Sequence, residues 1–190
     1  MILLECKDEL VQITNLAELK REFPSLDLDN YAQELDVILS SLDKLGIDVY
    51  IGTYKYFPAD HRGVYHAMHN RMYLNRDRLG HPITLMDVLR HEGWHAVQDI
   101  MAGSLKNTHM AIVFPEENVP RDVVLRTNIA YASNPRVLPW EREAKWAGET
   151  PWMTADALKS ATMNYLWEVY PPTPLTREWL VEEGFIQSGN

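Results

Sequence analysis

Between residues 28 and 45 apolar side chains recur at helical spacing. Leu28, Tyr31, Leu35, Ile38, Leu39, Leu42 and Leu45 share one face, and Gly46 ends the run. The period then changes to two. Residues 47–51 (Ile-Asp-Val-Tyr-Ile) alternate as a strand does, and a turn-rich piece with Pro58, Asp60 and Gly63 follows. Segments 63–67 and 71–75 predict a hairpin or two neighbouring strands. The most sharply bounded helix is predicted over 84–102, where Thr84 and Asp87 have capping-box spacing, Pro82 lies just ahead and Gly103 is a stop. Further helices are expected at about 120–131, 137–149 and 154–168. Pro171, Pro172 and Pro174 break the last of them, and a short amphipathic tail runs from Leu175 to Phe185. One helix, a few strands and then a run of helices is the order of an α+β domain. With no repeat and no linker, the 190 residues read as one domain with its core over about 28–170 and a tail over 171–190. Residues 1–27 are expected to pack against it, with an added strand or a partner-binding arm as the alternatives.

Composition excludes several functions. With 46% hydrophobic and 24% charged residues the chain has a globular rather than a disordered balance. Eighteen Lys and Arg against 27 Asp and Glu leave a net charge of −9. The densest basic stretch, Arg71, Arg76 and Arg78, is interrupted by Asp77, so no nucleic-acid partner is expected. A single cysteine, Cys6, excludes an intramolecular disulfide and every Cys-rich zinc site. The apolar start of the chain is too short for a signal peptide and meets acids at once. No run approaches the ~20 apolar residues of a membrane span. The expectation is a soluble cytoplasmic protein without a membrane partner. Trp94, Trp140, Trp146 and Trp152 crowd one half of the chain, where core packing is their expected role.

The chemistry-bearing pattern lies inside the best-defined helix: His91-Glu92-Gly93-Trp94-His95. Residues four apart share a helix face, so both imidazoles can converge on one tetrahedral zinc ion. Glu92 projects beside the pair, where it can take the proton of a metal-activated water without being a ligand itself. A catalytic zinc needs a third protein ligand. The metzincin arrangement would require a glycine at position 98 and a histidine at 101; the chain has Gln98 and Met101. A later helix offers Glu141 and Glu143 within Leu138-Pro139-Trp140-Glu141-Arg142-Glu143-Ala144. Only one can face the metal, since residues two apart point to nearly opposite sides of a helix, and the other is expected to be a solvated charge. Glu116 and Glu117, flanked by Pro115 and Pro120, are weaker candidates. His61, His66, His69, His81 and His109 are expected at the surface, although His66 and His69 lie near the predicted strands and could reach a cleft.

The HExxH helix followed by an E-x-x-A helix resembles the gluzincin-like zincins, including small bacterial and phage peptidase domains of the ImmA/IrrE and M48 types. The resemblance covers about residues 63–150. It implies a few-stranded sheet packed against the motif helix, with Glu141 as third zinc ligand and Ala144 as a close-packing residue. It also implies peptide-bond hydrolysis with Glu92 as general base and a protein or peptide as substrate. In that fold the strand just before the motif helix borders the cleft, which places Asn70-Arg71-Met72-Tyr73-Leu74-Asn75 there, and bound peptide adds to its edge. Tyr131 or His109 could stabilise the oxyanion. Lys145 departs from the pattern, which has an acidic or amide residue after the alanine. A narrow substrate range follows, or alternatively a catalytically weak or inactive metal-binding module that regulates or docks a partner.

Overall fold

The computed structural model describes residues 9–58, 60–103 and 109–163. Its four strands form one mixed sheet, and its longest helix lies across one face of that sheet, so the chain is an α+β protein. The first strand, β1 (Val11–Ile13), comes from the segment expected to pack, to add a strand or to bind a partner, and it adds one. A short helix, α1 (Leu16–Glu22), leads through a 3-10 turn at Asp29–Tyr31 into α2 (Ala32–Lys44). The predicted apolar stripe is the buried one: Leu35, Ile38, Leu39 and Leu42 are in the core. At its end Ile47 N–H donates to Leu42 and Gly46 N–H to Asp43, with Gly46 at φ +74. This is a Schellman ending, in which a left-handed residue satisfies carbonyls that the helix leaves open.

The remaining strands are β2 (Asp48–Gly52), β3 (Gly63–His66) and β4 (Arg71–Asn75). The sheet order is β1-β2-β4-β3, with β2 and β4 parallel and the other two pairs antiparallel. The predicted neighbouring strands are therefore an antiparallel pair in which Tyr65 stands opposite Met72. Alternate residues divide the sheet by face. Ile13, Val49, Ile51, Met72 and Leu74 join the main core under the helices, while Tyr73 on the other face packs with Tyr56, Phe57, Tyr50 and Val64.

The motif helix is α3 (Pro82–Met101), and it begins two residues earlier than expected. His81, not Thr84, is the cap: its Nδ1 accepts from Ile83 N–H at 3.2 Å. Pro82 has no N–H to leave unsatisfied and fits the first helical position, so the Thr84–Asp87 spacing lies inside the helix and closes no box there. Three helices follow: α4 (Arg121–Ala130), α5 (Leu138–Glu149) and α6 (Met153–Thr162). The expected continuation of the last to 168, the proline break and the 171–190 tail lie outside the described residues.

Helix α3 is wedged between the sheet and the pair α5 and α6, and α2 packs on α6. Backbones approach closely there. A Cβ on Gly148 of α5 would sit 2.9 Å from the Asp87 carbonyl oxygen, and one on Gly93 would sit 2.7 Å from Thr154 Cγ2. An ion pair is buried in the same layer. Arg90 and Glu34 form two 2.7 Å bonds with their side chains only 5% and 4% exposed. Glu34 Oε1 also accepts from Trp152 N–H at 2.8 Å. Nothing in the apolar stripe of α2 signalled a buried glutamate. Trp94 is fully buried as expected, but Trp152 is 40% exposed, although its backbone N–H is bonded to Glu34. Among the described residues no helix is long and apolar enough to cross a membrane.

Candidate metal centre

Two elements bring the predicted residues together. The fourth-residue repeat of α3 places His91 and His95 on one face, their ring centroids 4.8 Å apart at 86°. Opposite them, α5 presents Glu141 from its first turn. His91 Nε2 lies 3.2 Å from Glu141 Oε2, and His95 Nε2 lies 3.7 Å from Glu141 Oε1. One ligand atom from each residue falls within 4.8 Å of the others. Bonds of ~2.0–2.2 Å to a tetrahedral ion set neighbouring ligand atoms roughly 3.3 Å apart, so the spacing suits zinc.

The donor chemistry fits as well. His95 Nδ1 is 2.8 Å from Gln98 Oε1, which leaves Nε2 to face Glu141 with its lone pair. Glu141 Oε2 is buried, and although His91 Nε2 lies 3.2 Å away the two make no well-aligned hydrogen bond, an arrangement that a shared cation relieves. Burial by itself would raise the Glu141 carboxyl, but the His91 ring, His95 and the Tyr131 hydroxyl overcome it and hold the group at about 2. A carboxylate that stays ionised across the ordinary pH range is a ready metal ligand.

Glu92 sits beside this cluster without joining it. It is buried, and burial raises its carboxyl above the usual range, against His91, His95 and a bond from the Tyr65 backbone N–H that favour ionisation. That is the direction expected of a carboxyl that must both take and return a proton. Its other neighbour is Gly63, where a Cβ would lie 2.7 Å from Val88 Cγ1, 2.8 Å from Glu92 Cγ and 3.0 Å from its Oε1. The absence of a side chain at 63 gives Glu92 its place. Gly63→Ala is expected to displace Glu92 and to lower any hydrolysis about 100-fold, with zinc binding unchanged. Parallel assays of activity and metal content check this; full activity in the variant would mean that Glu92 adapts freely.

A cleft of about 420 Å³ opens over these groups, lined by Pro58, His61, Gly63 to His66, His91, Glu92, His95, Tyr131 and Glu141. The strand at its rim is β3. The expected Asn70–Asn75 strand is instead interior, because β4 is paired with β2 on one side and β3 on the other. Tyr65 fastens β3 to α3: its hydroxyl donates to Asp99 Oδ2 at 2.6 Å, and burial pushes the Asp99 carboxyl up to about 7. Among the described residues no strand pairs with the outer edge of β3.

Of the two oxyanion candidates, Tyr131 lines the cleft and His109 does not. Burial pushes the Tyr131 hydroxyl up, with Glu141 and Glu92 adding to the effect. His61 and His66 line the cleft, His69 stacks on His66 at 4.6 Å without lining it, and His81 is the helix cap. Glu116, on a 3-10 turn, pairs with Arg142, and neither it nor Glu117 joins the cluster. Lys145 pairs with Glu149 at 3.0 Å.

Glu143 corrects an expectation. It is 0% exposed rather than solvated, because the side of α5 opposite Glu141 faces the core. Its Oε2 accepts from Trp94 Nε1 at 3.2 Å and from Gln98 Nε2 at 2.8 Å, while Oε1 accepts from Phe114 N–H at 2.5 Å. Burial pushes its carboxyl up to about 7 against those donors. Gln98 entered the sequence reading only as the residue that excludes a metzincin. The available signal was its position, one helical turn beyond His95 on the same face.

Compared with family models, with curated proteins and with solved structures, the chain has no match in any of the three.

Proposed function

We propose that this protein is a metal-dependent hydrolase. The particular reading is a zinc peptidase of narrow range, with His91, His95 and Glu141 as ligands and Glu92 as general base. The observation that carries it is the convergence of two imidazole nitrogens and a carboxylate beneath an open cleft, with a second buried carboxylate beside them that is not a ligand. When bound there, zinc supplies Lewis acidity that polarises a carbonyl and makes water acidic enough to attack near neutral pH.

The chain's own residues do the rest. The outer edge of β3, which pairs with no described strand, would offer to an extended peptide the main-chain groups that Glu92 does not already hold through the Tyr65 N–H, and this would set the scissile carbonyl over the cluster. Glu92 takes a proton from the attacking water as the new C–O bond forms. It returns that proton to the departing nitrogen as the C–N bond breaks, so the carboxylate ends as it began. Tyr131 lines the cleft wall, and in this reading its hydroxyl turns from Glu141 to donate to the carbonyl oxygen as charge builds there. A net charge of −9 favours no nucleic-acid substrate, and a lone cysteine suits the reducing cytoplasm.

Metal content by plasma mass spectrometry tests the ligand set. Stoichiometric zinc is expected in the wild type, with loss in both His95→Ala and Glu141→Ala. A wild type that holds no metal even after zinc is supplied would end the enzyme reading. Zinc without cleavage of any member of a peptide library would leave a metal-binding docking or regulatory module.

A further inference from the structure

Beneath the ligand cluster runs a chain of buried polar groups that takes no part in the hydrolytic steps. His95 Nδ1 meets Gln98 Oε1 at 2.8 Å. Gln98 Nε2 has two acceptors, the Trp140 carbonyl at 3.1 Å and Glu143 Oε2 at 2.8 Å. Turned over, the Gln98 amide would set its oxygen against both acceptors and its NH2 against the imidazole. The Glu143 carboxylate and the Trp140 carbonyl therefore dictate which end of the amide faces His95. An amide oxygen only accepts, so the imidazole proton must sit on Nδ1, and the Nε2 lone pair is left pointing at Glu141, 3.7 Å away.

A buried carboxylate is costly to keep, and a neutral residue of similar shape would fill the space at 143. A neutral residue there would leave the Trp140 carbonyl alone to select the amide orientation. Glu143 is itself fixed, since the Trp94 indole N–H and the Phe114 backbone N–H bond its two oxygens. We propose that Glu143 is a positioning residue: acting through Gln98, it holds His95 in the Nδ1–H tautomer with Nε2 open to a metal. This rests on the reading of His91, His95 and Glu141 as zinc ligands. It extends from the ligand to a residue two positions along α5 from Glu141, on the opposite side of the helix.

The test pairs two measurements on wild type, Gln98→Met and Glu143→Gln. Long-range proton–nitrogen NMR on the metal-free protein at pH 8 reads the His95 tautomer. A titration against a chromophoric chelator reads zinc affinity, and circular dichroism reads the fold. The wild type should carry the His95 proton on Nδ1. Gln98→Met, which removes the acceptor, should give mixed tautomers and zinc binding weaker by ~10–100-fold. In Glu143→Gln either atom of the new amide can face Gln98, which leaves the Trp140 carbonyl alone to hold its orientation; partly mixed tautomers and about 10-fold weaker binding are expected.

A wild type with its proton on Nε2 overturns the proposal even if neither variant folds. So does a folded Glu143→Gln with wild-type tautomer and affinity, which would make Glu143 merely structural. The two readings fail separately. A tautomer that shifts in the variants of a protein binding no zinc removes the metal site and keeps the relay. Zinc binding with an unmoved tautomer does the reverse.

Discussion

Glu92→Gln is expected to lower peptide hydrolysis by ~10²–10⁴-fold while leaving zinc stoichiometry intact. Glutamine has the shape of glutamate and can still accept the Tyr65 backbone N–H, but it cannot take a proton from water. The proposed ligands His91, His95 and Glu141 are untouched by the change. Stability should follow the opposite course from activity. Burial raises the Glu92 carboxyl in the folded, metal-free protein, so between its unfolded and folded pKa values the folded state binds more proton than the unfolded one. Stability then falls as pH rises through that window, and the cost is fully present above it. An amide carries no such cost. The metal-free variant should melt at or above the wild-type temperature at pH 8, with the advantage gone well below the ordinary glutamate pKa. Melting curves at two pH values, beside a peptide-cleavage assay and metal analysis, check all three parts. Full hydrolysis by a zinc-loaded Glu92→Gln would sink the proposed role.

Glu34→Ala should be the most damaging single change outside the candidate site. It leaves the Arg90 guanidinium almost wholly buried, with only the Gly148 carbonyl at 3.4 Å remaining to it among the described residues, and it strips the Trp152 N–H of its acceptor. Breaking one side of a buried pair costs about 3–5 kcal/mol, because an uncompensated charge stays in the interior. For a chain of this length that is a fall in melting temperature of roughly 6–20 °C. Replacing both partners, as in Glu34→Leu with Arg90→Met, should recover most of the loss, since the desolvation cost of the pair disappears with it. Thermal unfolding of the single and double variants decides the matter. If Glu34→Ala melted within a degree or two of wild type, the pair would contribute little and Arg90 would have found water.

Both residues show where a linear reading stops. The stripe Leu35, Ile38, Leu39 and Leu42 was legible because one helix face repeats every three to four residues whatever it packs against. Glu34 lies beside that stripe, and its burial depends on an arginine 56 positions away on α3. The strand at 47–51 was legible from alternation, and those at 63–67 and 71–75 as two short segments after a turn-rich piece. Their order was not. Which strand borders the cleft depends on β4 entering between β2 and β3, and an interior and an edge strand both alternate or run apolar.

At the candidate site the division has the same cause. The spacing His91-Glu92-x-x-His95 determined, without any fold, that two imidazoles share a face with a carboxylate beside them, since the geometry of a helix is local. The helical period also determined that Glu141 and Glu143 point in opposite directions. Which of them meets the histidines was a tertiary decision, made by how α5 lies across α3 with Gly148 against the Asp87 carbonyl. The same crossing put Glu143 into the core beside Gln98 and Trp94. Sequence determines what repeats within a few residues of itself, because backbone geometry fixes those distances in advance. The proposed third ligand, the buried pair and the network behind His95 join residues 29 to 56 positions apart. Only packing brings such residues within hydrogen-bond reach.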